Sequence, residues 1–478
     1  MPIPNDLRDY IEAIEGIGQL KRVKAEVNWE LEIGTILYEV MKGSNCAVLF
    51  ENIKGCSKGF RFLANTWNSI ERVNLMYGLP IETYPHDLIL ERLRREDRPI
   101  KPRIVSGGPC KENIMKGSEI NLLKFPNPRY HHMIKRYFGS NHGVITKDPE
   151  TGVRNVGMYR MMVHDESTLG FSFGPAQGIV EHLRKAEARD EALPIAITCG
   201  QNPLNVVCGA TAYPKNVDEF TMVGALQQRP LDLVKCETIP LEVPASAEIV
   251  VEGEVPPGVK RIEGPFTEYP GCTTGVVEAP IVKIKCITYR TDPIQDGGYH
   301  AGAYDAYHIC NSINKSVAAW NIGRRLGRTD MKAVSFWPWS TEDTLIVSID
   351  KQYAGQAYDV AQLLLSNLPF TKNAFVVDKD IDPWKIEEVI WAFNTRVLAG
   401  RDIKIAKNVK GSYLDTAVPI SRRGLGDRLI VDATWPIVPE DDFPPRQEWG
   451  GLSHPPLSVP RDEDIRAVKA RWKEYGLD

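Results

Sequence analysis

Apolar positions near the start of the chain follow the period of an amphipathic helix. Four of them share one predicted face: Leu7, Tyr10, Ile11 and Ile14. This spacing predicts a first helix within residues 5–20, with Gly16 as its end. A short apolar run at 47–50 predicts a strand, and a second helix is predicted near 86–96. We therefore expect a mixed α/β region over residues 1–112, ended by a stretch rich in Pro and Gly.

The middle of the chain has the character of strands. Segments 143–148 and 153–163 flank a Pro-Glu-Thr-Gly turn and predict a β-hairpin. Further elements are predicted on the same grounds, with strands at 194–199, 247–252 and 279–289 and a helix near 216–228. Together they predict a β-rich domain, either a barrel or a sandwich, over residues 113–305.

From about residue 344 strands and helices alternate. The predicted strands and helices are, in chain order, 345–349, 355–367, 374–378, 384–397 and 403–405. Such alternation is typical of an α/β domain with a parallel core, here over residues 306–455. In the tail, 456–478, the spacing of Ile465, Val468 and Trp472 predicts a helix that docks. The predicted fold class is α+β and multidomain.

Composition narrows the class of protein. A chain of 478 residues with 43% hydrophobic and 25% charged residues is an ordinary globular sequence of roughly three domains. A net charge of −4 argues against a nucleic-acid or polybasic membrane protein, and no apolar run is long enough to cross a bilayer. The chain opens without a signal-like segment, and its nine cysteines are dispersed. We expect reduced thiols and a cytoplasmic protein.

Segment 261–271 carries the most informative chemistry. Glu263 and Glu268 stand five residues apart, between a Gly-Pro pair and a Pro-Gly pair. Gly and Pro disfavour a regular helix here, so the carboxylates would be presented from a stiff loop. Two acids in a fixed relation suit proton chemistry, because neighbours can push their pKa values apart. A solvated turn with incidental acids is the alternative.

Three further residues could complete such a site. Asn155 and Arg160 would face opposite sides of one strand unless it bends or bulges at Gly157. Arg160 could pair with one of the two acids, or it could lie at a surface strand end. Glu219 begins a predicted helix and could be a cap, although an Asn oxygen and a Glu carboxylate are also hard ligands for Mg²⁺ or Mn²⁺.

Other motifs give weaker signals. The chain has no Walker or Rossmann glycine pattern, no G-x-S-x-G elbow and no H-E-x-x-H helix. Polar aromatic residues are conspicuous at His131, His132, His300, Tyr304 and His308. Such groups are more often loop features than ligand sets. Spacing alone thus predicts an acid and arginine site in a β-domain without naming a reaction.

Several segments in order resemble one family, the UbiD reversible decarboxylases that use prenylated FMN. The segments are 155–160 (Asn-Val-Gly-Met-Tyr-Arg), 233–238 (Leu-Val-Lys-Cys-Glu-Thr), 243–253, 263–268 (Glu-Gly-Pro-Phe-Thr-Glu), 351–357, 389–396, 424–428 (Gly-Leu-Gly-Asp-Arg) and 432–434. The resemblance spans nearly the whole chain. It implies an N-terminal α/β region, a central split β-barrel that binds the flavin, and a C-terminal α/β oligomerisation domain.

The resemblance also implies roles for particular residues. The catalytic network would be Arg160, Glu263 and Glu268. The divalent metal that bridges the cofactor phosphate, Mn²⁺ or Mg²⁺ with K⁺ as a further candidate ion, would be held by Asn155 and Glu219. Cofactor contacts would come from Met158, Tyr159, Arg160, Gln177 and Arg428. One departure stands out, because the family commonly has His directly after the position of Gln177, where this chain has Gly178.

The expected reaction is decarboxylation of an aromatic or α,β-unsaturated acid, with CO2 as the other product. Arg160 would orient the carboxylate or Glu263, Glu263 would stay ionised, and Glu268 would protonate the carbon after burial or a neighbouring acid had raised its pKa. Tyr269 and the His300 group would line the pocket. A flavin prenyltransferase would supply the cofactor, and a homodimer or homohexamer is expected. The alternatives are a phosphorylated isoprenoid acid as substrate, a non-catalytic carboxylase subunit, and an FMN reductase.

Overall fold

The computed structural model describes residues 2–174, 177–437 and 444–476. The N-terminal region alternates helices and short strands. Its elements are α1 (Leu7–Gly16), β1 (Leu20–Val23), α2 (Glu32–Lys42), β2 (Ala47–Phe50), β3 (Arg61–Ala64), α3 (Ile70–Met76), α4 (Pro85–Glu96) and β4 (Arg103–Ile104). The four residues predicted to share a face of α1 are its buried residues, and Asp6 caps the helix by accepting from two backbone amides. The predicted mixture of helix and strand is confirmed.

The central region is rich in strands. Its elements are β5 (Asn113–Lys116), β6 (His142–Lys147), β7 (Arg154–Gly157), β8 (Thr168–Gly170), α5 (Ile179–Glu187), β9 (Leu193–Cys199), α6 (Pro203–Gly209), α7 (Glu219–Gln227), β10 (Asp232–Lys235), β11 (Glu242–Pro244), β12 (Ile249–Val255), β13 (Lys260–Glu263), β14 (Val277–Tyr289), β15 (Ile294–Gly297), β16 (His300–Ala301) and β17 (Tyr304–Asp305).

The predicted hairpin is present but shorter than expected. β6 and β7 pair antiparallel, with Val144 opposite Gly157 and Thr146 opposite Asn155. The second strand ends at Gly157, whereas the sequence predicted strand through residue 163. A Cβ on Gly157 would lie 2.3 Å from the Tyr159 hydroxyl oxygen, so the Tyr159 ring lies directly against the backbone at this point. β7 ends there, and its pairing with β6 does not continue.

One large antiparallel sheet carries the centre of the molecule. Its strand order is β13-β14-β12-β9-β6-β7, with β5 and β8 also pairing with β14. Within the described residues this is an open path from β13 to β7, and no pairing closes it into a barrel. The 13-residue β14 makes the most pairings in this sheet, since β5, β8, β12 and β13 all pair with it.

The N-terminal and central regions share their sheets. The N-terminal sheet has the order β1-β2-β3-β15, so that a strand from the far end of the central region completes it. β4 likewise pairs with β10. The largest hydrophobic cluster joins the two regions, with Tyr10 and Trp67 almost fully buried in it. Burial of one large apolar side chain contributes about 1.5–3 kcal/mol, so this shared core holds the two regions together.

The C-terminal region is an α/β layer. Its elements are α8 (His308–Arg325), β18 (Met331–Phe336), β19 (Thr344–Ile349), α9 (Gln356–Asn367), β20 (Asn373–Asp378), α10 (Ile386–Arg396), α11 (Ala399–Asp402), β21 (Ile403–Lys410) and β22 (Leu425–Ala433). The sheet order is β18-β19-β20-β22-β21, in which β19, β20 and β22 run parallel and the two edge strands run antiparallel. The predicted parallel core is confirmed.

The tail forms a helix that remains exposed. α12 spans Asp462–Ala470 and has no buried residue. The predicted apolar face is solvent-accessible on the single chain, with Trp472 just beyond the helix 43% exposed. The prediction of a helix is confirmed. On the single chain its apolar face is not covered, so docking stays a prediction.

Two general features complete the fold. All nine cysteines are free. Among the helices of the described ranges, not one combines the length and the apolar character that crossing a membrane requires.

Candidate active site

The acidic segment forms a closed turn between β13 and β14. Glu263 ends β13, and the chain leaves the strand at Gly264 with φ of +98°. A Cβ on Gly264 would lie 2.7 Å from the carbonyl oxygen of Gly275, so both the dihedral and the space require glycine here. The amide of Gly271 donates to the carbonyl of Glu268 at 2.8 Å. The predicted non-helical presentation of the acids is confirmed.

Arg160 reaches this turn from the segment that follows β7. Its backbone forms an isolated antiparallel bridge with Ser172, three residues beyond the end of β7. Strand alternation therefore does not fix its direction relative to Asn155. The interruption at Gly157 is the kind of bend under which the two side chains could serve one site.

The guanidinium of Arg160 lies between the two carboxylates. Its Nη2 and Nε donate to Oε2 of Glu263 at 2.6 and 3.0 Å, and its Nη1 donates to Oε1 of Glu268 at 2.9 Å. Nη1 also donates to Oγ1 of Thr274 at 3.2 Å. The Arg160 guanidinium carbon lies 5.6 Å from the centroid of the Phe266 ring. The structure thus brings together the cation and both acids that the sequence singled out.

The two acids differ in burial. Glu263 is fully buried, whereas the side chain of Glu268 retains 24% of its exposure. Burial raises the pKa of Glu263, and Arg160 opposes that rise by stabilising the ionised form. The sequence analysis asked for burial or a neighbouring acid to raise the pKa of Glu268, and the more buried of the two acids is Glu263. Hydrogen bonds from Arg160 and Tyr137 stabilise the ionised form of Glu263 against its burial.

Tyr137 is a site residue that sequence reasoning missed. Its hydroxyl donates to Oε1 of Glu263 at 3.0 Å and to the carbonyl of Pro265 at 3.2 Å. The backbone of Tyr137 bridges to Met162, which brings it alongside the segment that carries Arg160. Burial and the neighbouring Glu263 carboxylate raise the Tyr137 pKa, so the hydroxyl stays a neutral donor. No periodic pattern marks this residue in the sequence.

Histidines border the acidic turn. His131 Nε2 lies 2.5 Å from Oγ1 of Thr267, inside the turn. His300 is bonded through Nδ1 to the buried carboxylate of Asp305. Burial alone would lower the pKa of His300, but Asp305 outweighs it and the pKa is raised. His308 donates from Nε2 to the backbone carbonyl of Tyr269 at 3.2 Å.

The remaining residues of the two histidine groups are less engaged with the turn. Tyr304 is 39% exposed and packs edge-on against Tyr38. The ring of His132 lies beside that of His131, with centroids 6.0 Å apart. Of the histidines that the sequence made conspicuous, His131, His300 and His308 are therefore the ones that border the acidic turn.

Asn155 and Glu219 lie close together, because the Glu219 side chain is hydrogen-bonded to the residue after Asn155. The Glu219 carboxylate accepts from the amide of Val156 at 2.9 Å, directly after Asn155. Asn155 donates from Nδ2 to the Tyr159 hydroxyl at 3.1 Å. Burial raises the pKa of Glu219 to about 7. Asp218 is the cap of α7, accepting from the amide of Phe220, so the reading of Glu219 as the helix cap is wrong.

Gly178 meets Asn155 where the family pattern has an imidazole. A Cβ built on Gly178 would lie 2.1 Å from Oδ1 of Asn155. No side chain fits at 178 while Asn155 keeps this conformation. Within the three described ranges no group of three or more His, Cys, Asp or Glu residues gathers as a metal cage. The oxygen donors present are the amide of Asn155 and the carboxylate of Glu219.

The four other predicted cofactor contacts fall in different surroundings. Tyr159 is buried beside Asn155, and its carbonyl lies 2.6 Å from Nε2 of His142. Met158 is partly buried against the core shared by the N-terminal and central regions. Gln177 is exposed and accepts from the amide of Gly174 at 2.6 Å, next to residues outside the described ranges.

Arg428 does not join the others. Its guanidinium donates to the backbone carbonyls of Leu365, Pro369 and Lys410 at 2.6–2.9 Å, all within the C-terminal region. These bonds hold the loop ends around β22. The contact of Arg428 with the cofactor stays a prediction.

A separate surface cavity of about 410 Å³ lies behind the Asn155 strand, lined by residues that include Lys147, Arg154, Asp218 and Glu242. Its charges are already paired with one another. Arg154 binds Asp218 and also Glu242 at 2.8 Å, and Lys147 binds Glu242 at 2.7 Å. Neither Arg160 nor the two acids of the turn line this cavity, so we do not assign the chemistry to it.

Family models match all three parts of the chain. The N-terminal, Rift-related and C-terminal domains of 3-octaprenyl-4-hydroxybenzoate carboxy-lyase, the UbiD domains, match residues 11–91, 103–302 and 315–433. The chain is 37% identical over 452 residues to a phenolic acid decarboxylase of Sedimentibacter hydroxybenzoicus, which covers 91% of this chain and 92% of the relative.

Solved structures of UbiD-class enzymes are also similar to this chain. Vanillic acid decarboxylase of Sedimentibacter hydroxybenzoicus in its open form is 34% identical, with a TM-score of 0.88 over the full length of both chains. HmfF of Pelotomaculum thermopropionicum, solved in complex with FMN, is 30% identical, with a TM-score of 0.85 over 97% of this chain and 99% of its own. An evolved dimeric form of HmfF was solved with prFMN and has a TM-score of 0.80 at 29% identity, over 92% of this chain and 98% of its own.

Proposed function

Because this chain belongs to the UbiD family of carboxy-lyases, we propose that it reversibly decarboxylates an aromatic or α,β-unsaturated acid with prenylated FMN as cofactor. The single observation that carries the proposal is Arg160, held between Glu263 and Glu268. Two acids that differ in burial and share one cation suit proton transfer next to a fixed charge.

The chain's own residues would hold the substrate and move the proton. When bound, the prenylated flavin would supply the electron sink for the pair that the departing CO2 leaves behind. Glu268 would then deliver a proton to that carbon, and its carboxylate would remain bonded to Arg160. In the carboxylation direction Glu268 would take the proton back.

Burial supports this division of roles between the acids. A proton donor must regain its proton in each turnover, which suits Glu268 because its side chain is 24% exposed. Glu263 has no exposed surface and is held by Arg160 and Tyr137, which suits a charge that stays in place. We therefore propose Glu268 as the proton donor and Glu263 as the anion that orients Arg160.

Asn155 and Glu219 would hold the divalent ion, Mn²⁺ or Mg²⁺. Their oxygen donors suit a hard cation, and a cation would keep the buried Glu219 carboxylate ionised. The donor set fits only in part, because two side chains leave most positions to water and to the cofactor's phosphate. K⁺ remains a further candidate. The proposed cofactor contacts remain Met158, Tyr159, Arg160, Gln177 and Arg428.

A phenolic acid is the proposed substrate. The similar Sedimentibacter protein is named a phenolic acid decarboxylase, and this chain places a polar group beside the acidic turn. The His300 ring centroid lies 6.5 Å from that of Phe266, and Asp305 holds His300 in place. Such an imidazole could bind a ring hydroxyl. A phosphorylated isoprenoid acid is the alternative substrate, and the name of the similar Sedimentibacter protein favours the phenolic acid.

Assembly and architecture follow the same proposal. We infer a homodimer or homohexamer, because the C-terminal region of the single chain exposes Trp339 (71%) and Ile420 (79%), besides the apolar residues of the tail. We also infer that the open antiparallel sheet is the core of a split β-barrel. A cytoplasmic location stays a prediction.

The experiment that tests the function uses the full chain co-produced with a flavin prenyltransferase. We expect a modified flavin, identified by mass and absorbance, to co-purify, and CO2 release from one or more acids of a phenolic and unsaturated panel. The chain produced without the prenyltransferase is the control and should be inactive. Retention of flavin without CO2 release from the panel would favour the non-catalytic subunit, and reduction of free flavin by a nicotinamide would favour a reductase.

A further inference from the structure

The C-terminal region contacts three parts of Tyr269, the residue after Glu268. These are its backbone carbonyl, its ring and its hydroxyl. Its backbone carbonyl accepts from Nε2 of His308 at 3.2 Å. The Nζ of Lys315 lies 5.3 Å from its ring centroid. Its hydroxyl lies 3.0 Å from Oγ of Ser412 and donates to Oδ2 of Asp343 at 3.4 Å.

These partners come from three separate elements. His308 and Lys315 lie on α8, Asp343 directly precedes β19, and Ser412 follows β21. The carboxylate of Glu268, by contrast, is held by Arg160 of the central region. Adjacent residues of one short turn are therefore bound to two different parts of the molecule.

The environment of the Tyr269 hydroxyl suits a fixed contact. Burial raises the pKa of Tyr269, so the hydroxyl stays protonated. Burial also raises the pKa of Asp343, which Lys315 opposes from a distance of 3.5 Å. A neutral donor beside an acid and a serine hydroxyl forms a small polar cluster that only a particular placement of the C-terminal region can supply.

We infer that Tyr269 is a positioning residue, which fixes the carboxylate of Glu268 according to where the C-terminal region sits. The inference rests on the proposed role of Glu268. A shift of Ser412 and Asp343 away from the turn would release the Tyr269 ring, and only one peptide unit separates that ring from Glu268. The similar vanillic acid decarboxylase has been solved in an open and a closed form, so a relative of this chain adopts two arrangements.

Two variants remove the contact from opposite sides. Tyr269→Phe keeps the ring and loses the hydroxyl, and Ser412→Ala removes its partner in the C-terminal region. Tyr353→Phe is the matched control, because the Tyr353 hydroxyl bonds to Asp359 on the exposed side of the C-terminal region. Hydrogen exchange of residues 264–274 is followed in the flavin-loaded full chain by mass spectrometry, and kcat and KM are measured for the same preparations.

We expect Tyr269→Phe and Ser412→Ala each to speed exchange in 264–274 and to lower kcat by about threefold to tenfold, the loss of one hydrogen bond, with KM nearly unchanged. The double variant should match Tyr269→Phe alone, since Tyr269→Phe already removes the contact with Ser412. Tyr353→Phe should resemble the wild type.

Unchanged exchange in Tyr269→Phe, or effects of the two variants that multiply, would overturn the inference. Exchange is measured without turnover, so it separates this inference from the proposed function. An inactive wild type whose exchange still responds to Ser412→Ala would refute the function and leave the coupling. An active wild type with no response in either readout would refute the coupling alone.

Discussion

Tyr137 and Glu263 are joined by a hydrogen bond of 3.0 Å from the hydroxyl to Oε1, on the side of the carboxylate that Arg160 leaves free. Both oxygens of a fully buried carboxylate thus have a donor. Burial raises the pKa of Glu263, and this hydrogen bond is among the interactions that oppose the rise. The tyrosine therefore helps to keep the acid charged and to hold the arginine.

Removing the Tyr137 hydroxyl should weaken that anion. In Tyr137→Phe we expect the pKa of Glu263 to rise further, and kcat to fall about tenfold to 100-fold, since one hydrogen bond to a charged group contributes about 1.5–3 kcal/mol. The fall should be smaller at alkaline pH, because a higher pH restores the ionised acid. A pH profile of kcat checks this, with Tyr353→Phe as control. Equal loss at every pH would contradict the argument.

The two acids should respond differently to amidation. Glu268→Gln removes the proton donor, so CO2 release should fall by at least about 100-fold while flavin stays bound. Glu263→Gln should also lose activity and, in addition, should lose about 1–3 kcal/mol of stability, because buried Arg160 would face a neutral amide. Activity, flavin content and melting temperature are measured for both.

Glu278→Gln is the control for these variants, since Glu278 is an exposed acid on the neighbouring β14. It should leave activity and stability unchanged. Full activity in Glu268→Gln would remove this residue from the mechanism, and equal melting temperatures for Glu263→Gln and Glu268→Gln would refute the difference in their surroundings.

Much of the fold was predictable because its signals are local. The C-terminal alternation of β19, α9, β20 and α10 was predicted to within a few residues at each end, since each element carries its own apolar period. The strand beyond Gly157 was overpredicted. Its alternation looks regular in sequence, but the ring of Tyr159 lies against the backbone of Gly157, two residues before it, where the strand ends, and an alternation pattern does not encode that conformation.

The site was predictable only where its residues lie in a segment that can be recognised in the sequence. Glu263 and Glu268 share one turn, and Arg160 belongs to a family motif. Tyr137 reaches Glu263 across 126 residues of chain and follows no period, so its role depends on the isolated bridge between its backbone and Met162. The hydrogen bonds of Arg428 to backbone carbonyls were likewise not predictable, because no motif encodes them.

Stability should depend on pH through Asp296. Burial raises the pKa of this carboxyl to about 8 from its ordinary value of 3.8. The folded state therefore holds a proton that the unfolded state has released, so stability falls as pH rises from about 4 to about 8 and is constant above that range. Asp296→Asn removes the ionisation and should stabilise the protein at pH 9 by about a few kcal/mol relative to wild type.

Melting temperatures of both proteins at pH 5 and pH 9 check the Asp296 prediction. The wild type should lose more stability than Asp296→Asn between the two values, and the difference should appear below pH 8. Parallel pH curves would show that Asp296 keeps an ordinary pKa. Flavin content serves as a control, since an effect of the substitution on cofactor binding would shift melting temperature at every pH.

The present position of the Asn155 side chain should require glycine at residue 178. In Gly178→Ala the new Cβ would lie 2.1 Å from Oδ1 of Asn155, so the amide must turn away from its present position. We expect weaker Mn²⁺ binding, measured by electron paramagnetic resonance on the flavin-loaded chain, and a loss of about 1–3 kcal/mol of stability. Gly400→Ala is the control, because a Cβ there meets no atom within 4 Å. For the same reason Gly178→His should bind Mn²⁺ no better than Gly178→Ala, and tighter binding in Gly178→His would show that an imidazole can enter beside Asn155 after all.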